Sequence, residues 1–192
     1  MASFDRGFKS WAERTAASIR SDLGLSQVDR LDILNLASLL NVTLCTPRDI
    51  PGLPGEVLDQ LFTHDPWGWS AVSITRPDGG TLLIYNPEKS PGRMSSDIGH
   101  ELSHVIQDHK PSMVMLSHDG SMAMRTYDQK REEEADWLAW CLLLPREGLI
   151  DSKRKGLTTA QIAERYGVTE RLVKFRLGIT GVSLQLRRRF SR

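Results

Sequence analysis

The stretch GHELSHVIQDH, Gly99 to His109, decides how the rest of the chain is read. Two histidines stand four residues apart, with a glutamate directly after the first. On an α-helix that spacing returns both side chains to one face, about 6 Å apart along the axis, so the imidazoles of His100 and His104 can reach a single ion. Glu101 then falls beside the ion, not on it. A hydrolytic zinc site uses two imidazoles and a carboxylate, leaves the fourth position to water, and needs a base next to that water. Glu101 is the candidate base. With five histidines and ten glutamates in the chain, chance yields this pattern in roughly one such sequence per hundred, so a third ligand is the deciding test.

The stretch REEEADWLAWCLLLP, starting at Arg131 and about 28 residues downstream, supplies candidates on a second helical run. Glu132, Glu133 and Glu134 leave a helix in three directions, so one at most faces the ion. Asp136 selects among them. If its carboxylate holds the outer ring nitrogen of a ligand histidine, the ligand lies one turn away on the same face, at Glu132. That register turns Ala135 and Ala139 toward the first helix, where small side chains permit close approach, and leaves Trp137 and Trp140 for the core. An acidic start that complements the helix dipole accounts for the other two glutamates.

The composition sets outer limits. A chain of 192 residues with 40% hydrophobic and 26% charged residues has material for one sizeable domain, or one domain with a small appendage. MASFDRGFKSW lacks the apolar core of a signal peptide, and WLAWCLLL is far too short to span a bilayer, so the expected location is the cytoplasm, with no membrane partner. Cys45 and Cys141 have no metal-finger spacing and read as reduced core thiols. The net charge of +1 hides an asymmetry: residues 151–192 hold 11 Lys or Arg against 3 Asp or Glu, a net +8 set against −7 elsewhere.

Along the chain, Phe8, Trp11, Thr15, Ile19 and Leu23 recur at helical intervals up to Gly24, a C-cap residue. Leu31 to Leu40 reads as a second helix, and DIPGLPGE as a turn region. WSAVSIT and TLLIYNP flank RPDGG, which predicts a hairpin feeding the histidine helix. PSMVMLSHDGSMAMRTYD has no periodicity and reads as a loop. There is no internal repeat. The fold class expected is α+β, mostly helical with a small sheet: residues 1–150 form the core, and 151–192 a basic helix-turn-helix-like segment.

The motifs GHELSH and EEEADWLAWCLLLPRE, taken together, resemble those of the ImmA/IrrE family of metallopeptidases. LLIYNP and GLTTAQIAERYGVTERLVKFRL resemble the family's strand before the active-site helix and its C-terminal helical segment. The resemblance implies a zincin-like core with Zn²⁺ on His100, His104 and Glu132, or Mn²⁺ or Fe²⁺ in its place, and Glu101 as catalytic base. It implies an endopeptidase whose protein substrate is a helix-turn-helix transcriptional repressor, cleaved to switch on genes of a mobile element or a stress response. It also implies a C-terminal segment packed on the core. The chain departs from the family's pattern at Ser103, where glycine is commoner, at Leu138, where phenylalanine is preferred, and at RMSSD, which lacks an Arg-Phe pair.

Peptide hydrolysis also needs an oxyanion donor, for which Tyr85, Tyr127, His118 and Arg176 qualify by chemistry. An exposed edge from TLLIYN is the expected place for an extended substrate to pair. His64 and His109 read as surface or helix-end histidines. In the basic segment, Gly167 and Val168 make the turn and Thr169 caps the second helix, which offers only Glu170, Arg171 and Lys174 outward. That is a thin base-reading set, so DNA binding is the lesser expectation. The alternative function is a non-catalytic DNA- or protein-binding regulator with a structural zinc site. An aminopeptidase fits the ligands, but no motif for recognising a chain start is visible.

Overall fold

In the computed structural model, which describes residues 4–76, 78–109, 114–116, 123–125 and 128–185, the first element is helix α1 (Phe8–Asp22). Ala12, Ala16 and Ile19 form its buried stripe. The helix stops where Gly24 takes a left-handed φ of 69°. The Leu25 N–H then reaches Arg20 O at 2.8 Å and the Gly24 N–H reaches Ser21 O at 3.0 Å, which satisfies carbonyls the helix leaves open. Helix α2 (Ile33–Leu39) begins at Asp32, whose carboxylate accepts the Leu34 N–H at 2.9 Å.

Strands β1 (Val42–Cys45), β2 (Ala71–Thr75) and β3 (Thr81–Tyr85) form one sheet in the order β1-β3-β2. β1 runs parallel to β3, and β2 antiparallel to it, with the Arg76 N–H bonded to Gly80 O just beyond the paired strands. This order corrects the expectation for TLLIYN, which supplies the central strand with both edges paired; among the described residues the unpaired edges belong to β1 and β2. Leu83 at the middle of β3 is fully buried, as a strand covered on both sides requires. Between β1 and β2 the Pro/Gly-rich region also holds a short helix, α3 (Gly55–Asp59), that widens into a single π-type turn at Gln60–His64.

Helix α4 (Pro91–Ile106) carries the two histidines and Glu101, with Pro91 in its first turn, where no N–H is needed. Strands β4 (Val114–Leu116) and β5 (Ala123–Arg125) pair antiparallel as a separate ribbon. Helix α5 (Gln129–Leu143) starts at Asp128, whose carboxylate accepts from Lys130 N and Arg131 N. Helices α6 (Arg146–Arg154), α7 (Thr159–Tyr166) and α8 (Glu170–Thr180) complete the described chain, with α6 running across residue 150. The architecture is thus mostly helical with a small sheet. Among the described residues no helix is long and apolar enough to cross a membrane.

Two fully buried arginines lock the helices together. Arg20 of α1 donates to Leu142 O at 2.6 Å and Arg176 of α8 donates to Leu144 O at 3.1 Å, so the open carbonyls at the end of α5 are capped from both sides. Arg176 also pairs with Glu13 at 3.0 Å. Its role is therefore structural, which removes it from the oxyanion candidates. The turn between α7 and α8 sits directly on α4, because a Cβ at Gly92 would lie 2.7 Å from Val168 C and 3.0 Å from Thr169 N. Buried side chains of α1, α2, β3, α4, α5, α7 and α8 belong to one apolar cluster.

Candidate metal centre

Helices α4 and α5 pack antiparallel, since His100 meets Asp136 while His104 meets Glu132 one turn further along each helix. Ile98 and Leu102 of α4 and Leu138 and Leu142 of α5 are buried, and the polar faces converge beside them. Ser103, at the position where the family favours glycine, is buried without loss because its hydroxyl donates to Gly99 O at 2.7 Å.

His100 Nε2 lies 3.1 Å from His104 Nε2 and 3.1 Å from Glu132 Oε2, and His104 Nε2 lies 3.7 Å from Glu132 Oε2. Ligands about 2.0–2.2 Å from a tetrahedral ion stand about 3.3 Å from one another, so the three atoms span one face of such a coordination shell. The donor chemistry agrees. Asp136 Oδ1 accepts from His100 Nδ1 at 2.8 Å, and in the neutral tautomer this selects, the Nε2 lone pair faces the Glu132 carboxylate, an arrangement that a bound cation satisfies. His100, His104 and Glu132 therefore form a candidate metal site. Burial opposes charge on the His100 ring, yet Asp136, Glu101 and Glu132 outweigh it and hold its pKa above the ordinary value. The two other glutamates do not join the ligands: Glu133 accepts from Gln129, and Glu134 faces His109.

Glu101 sits beside the trio. Its Oε2 accepts from the Ser73 amide at 3.0 Å and the Ser73 hydroxyl at 2.6 Å. A strand N–H lies in the plane of its sheet, so this bond turns the free edge of β2 toward α4. Ser73 carries no signal in the sequence, where it is one polar residue in an alternating β run.

His109, expected at a surface or a helix end, has a specific partner. Helix α4 ends with Asp108 in the left-handed region, φ 50°, and the His109 N–H bonded to His104 O at 3.0 Å. This return places His109 Nδ1 2.9 Å from His104 Nδ1, with Nε2 3.8 Å from Glu134 Oε2. Burial, then the neighbouring His104 and Arg131, push its pKa down to about 4, so the ring is neutral near pH 7 and can accept the His104 proton. Asp136 and His109 thus stand behind the two histidines in equivalent positions.

A cleft of about 560 Å³ opens next to the trio, with His100, Glu101 and Asp136 in its wall. Ser70 and Ala71 bound it at β2, and Thr169, Arg171, Leu172 and Phe175 of α8 at the other side. Trp140, expected in the core, also lines it, whereas Trp137 is buried. Arg171, expected to point outward, faces it as well. Tyr85 is packed partly buried against the apolar cluster and is not in the cleft wall. His64 is exposed. His118 and Tyr127, the remaining oxyanion candidates, lie outside the described residues, as do the arginines at 187–189 and most of the methionine-rich stretch. Both cysteines are free thiols, with Cys141 buried.

Comparison with known proteins identifies the family. Residues 63–178, more than half of the chain and the span from before β2 into α8, match the peptidase family model described as the IrrE N-terminal-like domain. A solved structure of a Mycobacterium tuberculosis transcriptional regulator shares the fold over 91% of this chain with a TM-score of 0.50 and 17% identity. The match takes in 47% of that structure, so this chain spans about half its length. No curated protein matches the sequence. With the family match covering both motif helices, the chain belongs to the ImmA/IrrE family through its IrrE N-terminal-like domain.

Proposed function

We propose that this protein is a zinc-dependent endopeptidase that cleaves a partner transcriptional repressor and so derepresses genes, with His100, His104 and Glu132 as metal ligands and Glu101 as the catalytic base. The observation that carries the reading is the meeting of three ligand atoms beside a cleft whose wall holds His100 and the Glu101 carboxylate. Three ligands beside open space fit catalysis better than a structural zinc site, which closes its shell with four protein ligands; among the described residues there is no fourth. That disfavours the non-catalytic regulator.

A bound zinc ion supplies polarisation of the scissile carbonyl and acidification of water. The chain does the rest. Asp136 and His109 fix the ring orientations of His100 and His104. Glu101, anchored through Oε2 on Ser73, presents a carboxylate that takes a proton from the attacking water and hands it to the departing amine. Apart from the Ser73 N–H, which Glu101 holds, the outer edge of β2 offers backbone pairing to an extended substrate segment, with Ser70 and Ala71 at the cleft. Residues 151–185 act in this reading as part of the peptidase unit, not as a separate DNA reader. The repressor as substrate follows from the family resemblance.

The test compares Glu101→Gln with the unaltered protein in the native host, with co-purifying proteins identified by mass spectrometry. The reading expects a DNA-binding repressor retained whole by Glu101→Gln and recovered as fragments with the unaltered protein. Identical partners and no fragments, with zinc bound in both, would replace it with the non-catalytic regulator.

A further inference from the structure

We propose that helix α8 is the substrate-selecting wall of the cleft, and that it takes an extended segment carrying an acidic residue two positions from a large apolar one. This deepens the peptidase reading above and rests on it. The wall is firmly seated: the turn that starts α8 lies against Gly92 of α4, with Val168 C 2.7 Å from where a Cβ would stand, and Thr169 caps the helix by accepting the Leu172 N–H at 3.2 Å. The face toward the cleft presents Arg171, Leu172 and Phe175.

The apolar part of the preference comes from an aromatic pair. Phe175 packs edge-on against Trp140, ring centroids 4.5 Å apart, yet remains 42% exposed inside the cleft. A large aromatic face left in water at the side of a cleft offers area that a ligand's apolar side chain can cover.

The acidic part comes from charge accounting. Five charged side chains line the cleft: Arg93, Asp97, Glu101, Asp136 and Arg171. Arg93 pairs with Asp97 at 2.9 Å and Asp136 with His100 at 2.8 Å, while Glu101 is held in place, though not neutralised, by the Ser73 hydroxyl at 2.6 Å. Arg171 has no hydrogen bond or ion pair among the described residues. Arg171 is therefore the one cation of the described wall left for an acidic group of a ligand, four residues and one helix turn from Phe175 and on the opposite wall from Glu101, which keeps its own charge.

The spacing fixes the pattern. Arg171 and Phe175 are four apart on one helix face, about 6 Å along the axis. In an extended chain, residues two apart point the same way at roughly 6.6–6.8 Å, so one face of an extended segment lying along α8 meets both side chains at once.

The experiment measures anisotropy of fluorescein-labelled peptides binding to zinc-loaded Glu101→Gln protein. The peptides contain Glu-Ala-Leu, Leu-Ala-Glu, Lys-Ala-Leu or Glu-Ala-Ser in one alanine-serine background. The tighter-binding of Glu-Ala-Leu and Leu-Ala-Glu is expected to bind about fivefold more tightly than Lys-Ala-Leu, and about tenfold more tightly than Glu-Ala-Ser. Adding Arg171→Glu reverses the charge preference, Arg171→Gln abolishes it, and Phe175→Ala removes the leucine preference alone. An unchanged charge preference in both Arg171 variants, or peptides that bind equally or not at all, would overturn the proposal. So would salt-dependent duplex DNA binding that is lost in Arg171→Gln while peptide binding is not. Peptidase and selectivity fail separately: selective binding with no cleavage by the Glu101 protein removes the first, and cleavage at equal rates of all four peptides removes the second.

Discussion

Replacing Asp136 with alanine isolates what holds His100 in place without touching a metal ligand. The contact removed is one charge-assisted bond, Asp136 Oδ1 to His100 Nδ1 at 2.8 Å. A hydrogen bond to a charged group is worth about 1.5–3 kcal/mol net. The Asp136 side chain is 47% exposed, so solvent screening favours the lower part of that range. A loss of about 1.5–2 kcal/mol corresponds to metal affinity weakened roughly 10- to 30-fold. Asp136→Asn keeps an acceptor at the same place without its charge, and recovers about half of that free energy. Competition for zinc against a chromophoric chelator at fixed pH and ionic strength measures both, and the rise in melting temperature on adding zinc should fall in the same order. If Asp136→Ala bound zinc as tightly as the unaltered protein, the claim that this carboxylate sets the tautomer and orientation of His100 would be wrong.

His109→Ala should weaken zinc binding as well, about tenfold, through loss of the partner of His104 Nδ1, and shift the absorption spectrum of the cobalt-substituted protein; an unchanged spectrum would return His109 to a merely structural role. Gly92→Ala drives a methyl group against the α7–α8 turn. Overpacking of about 1–3 kcal/mol, offset by less than 1 kcal/mol of helix propensity, should lower the melting temperature by roughly 2–6 °C, as read by calorimetry. Cys141, whose thiol is pushed up to about 12 by burial, should resist a thiol reagent at pH 8 until the chain unfolds, while partly exposed Cys45 reacts in the folded protein. Asp49 is held below its usual pKa by bonds from the Thr46 amide and hydroxyl. Its stabilisation is complete above the unfolded value of about 3.9 and is lost as pH falls through the lower folded value. Acid titration of stability should therefore be shallower below about pH 4 in Asp49→Asn.

The parts of the site that were legible in the sequence are those written in helical period. His100 and His104 four apart, and Glu132 and Asp136 four apart, each define one face of one helix, and the packing of α4 on α5 brings those two faces together. The less legible parts depend on contacts that cross elements or on a break in periodicity. Ser73 reaches Glu101 from a strand 28 residues away, and nothing about a serine in an alternating run announces it. His109 follows the helix end, and only the left-handed Asp108 turns it back beneath His104. Strand order is another such case: alternation identified the β2–β3 hairpin, but the parallel pairing of β1 that makes β3 central involves residues about 40 apart in sequence. Arg176, a candidate oxyanion donor by its chemistry, is instead buried because the end of α5 presents bare carbonyls to it. Trp140 reads as a core aromatic, and it is the docking of α8, with Phe175 against its ring, that leaves it facing the cleft.

The central claim is that one metal ion is held by His100, His104 and Glu132. The most direct measurement is the metal content of purified protein, by inductively coupled plasma mass spectrometry after zinc loading and gel filtration, for the unaltered chain, Glu101→Gln, His104→Ala and Glu132→Ala, each first verified as folded by circular dichroism. The account predicts about one zinc per chain in the first two and little in the last two. Glu132→Ala retaining zinc as the unaltered chain does would contradict it.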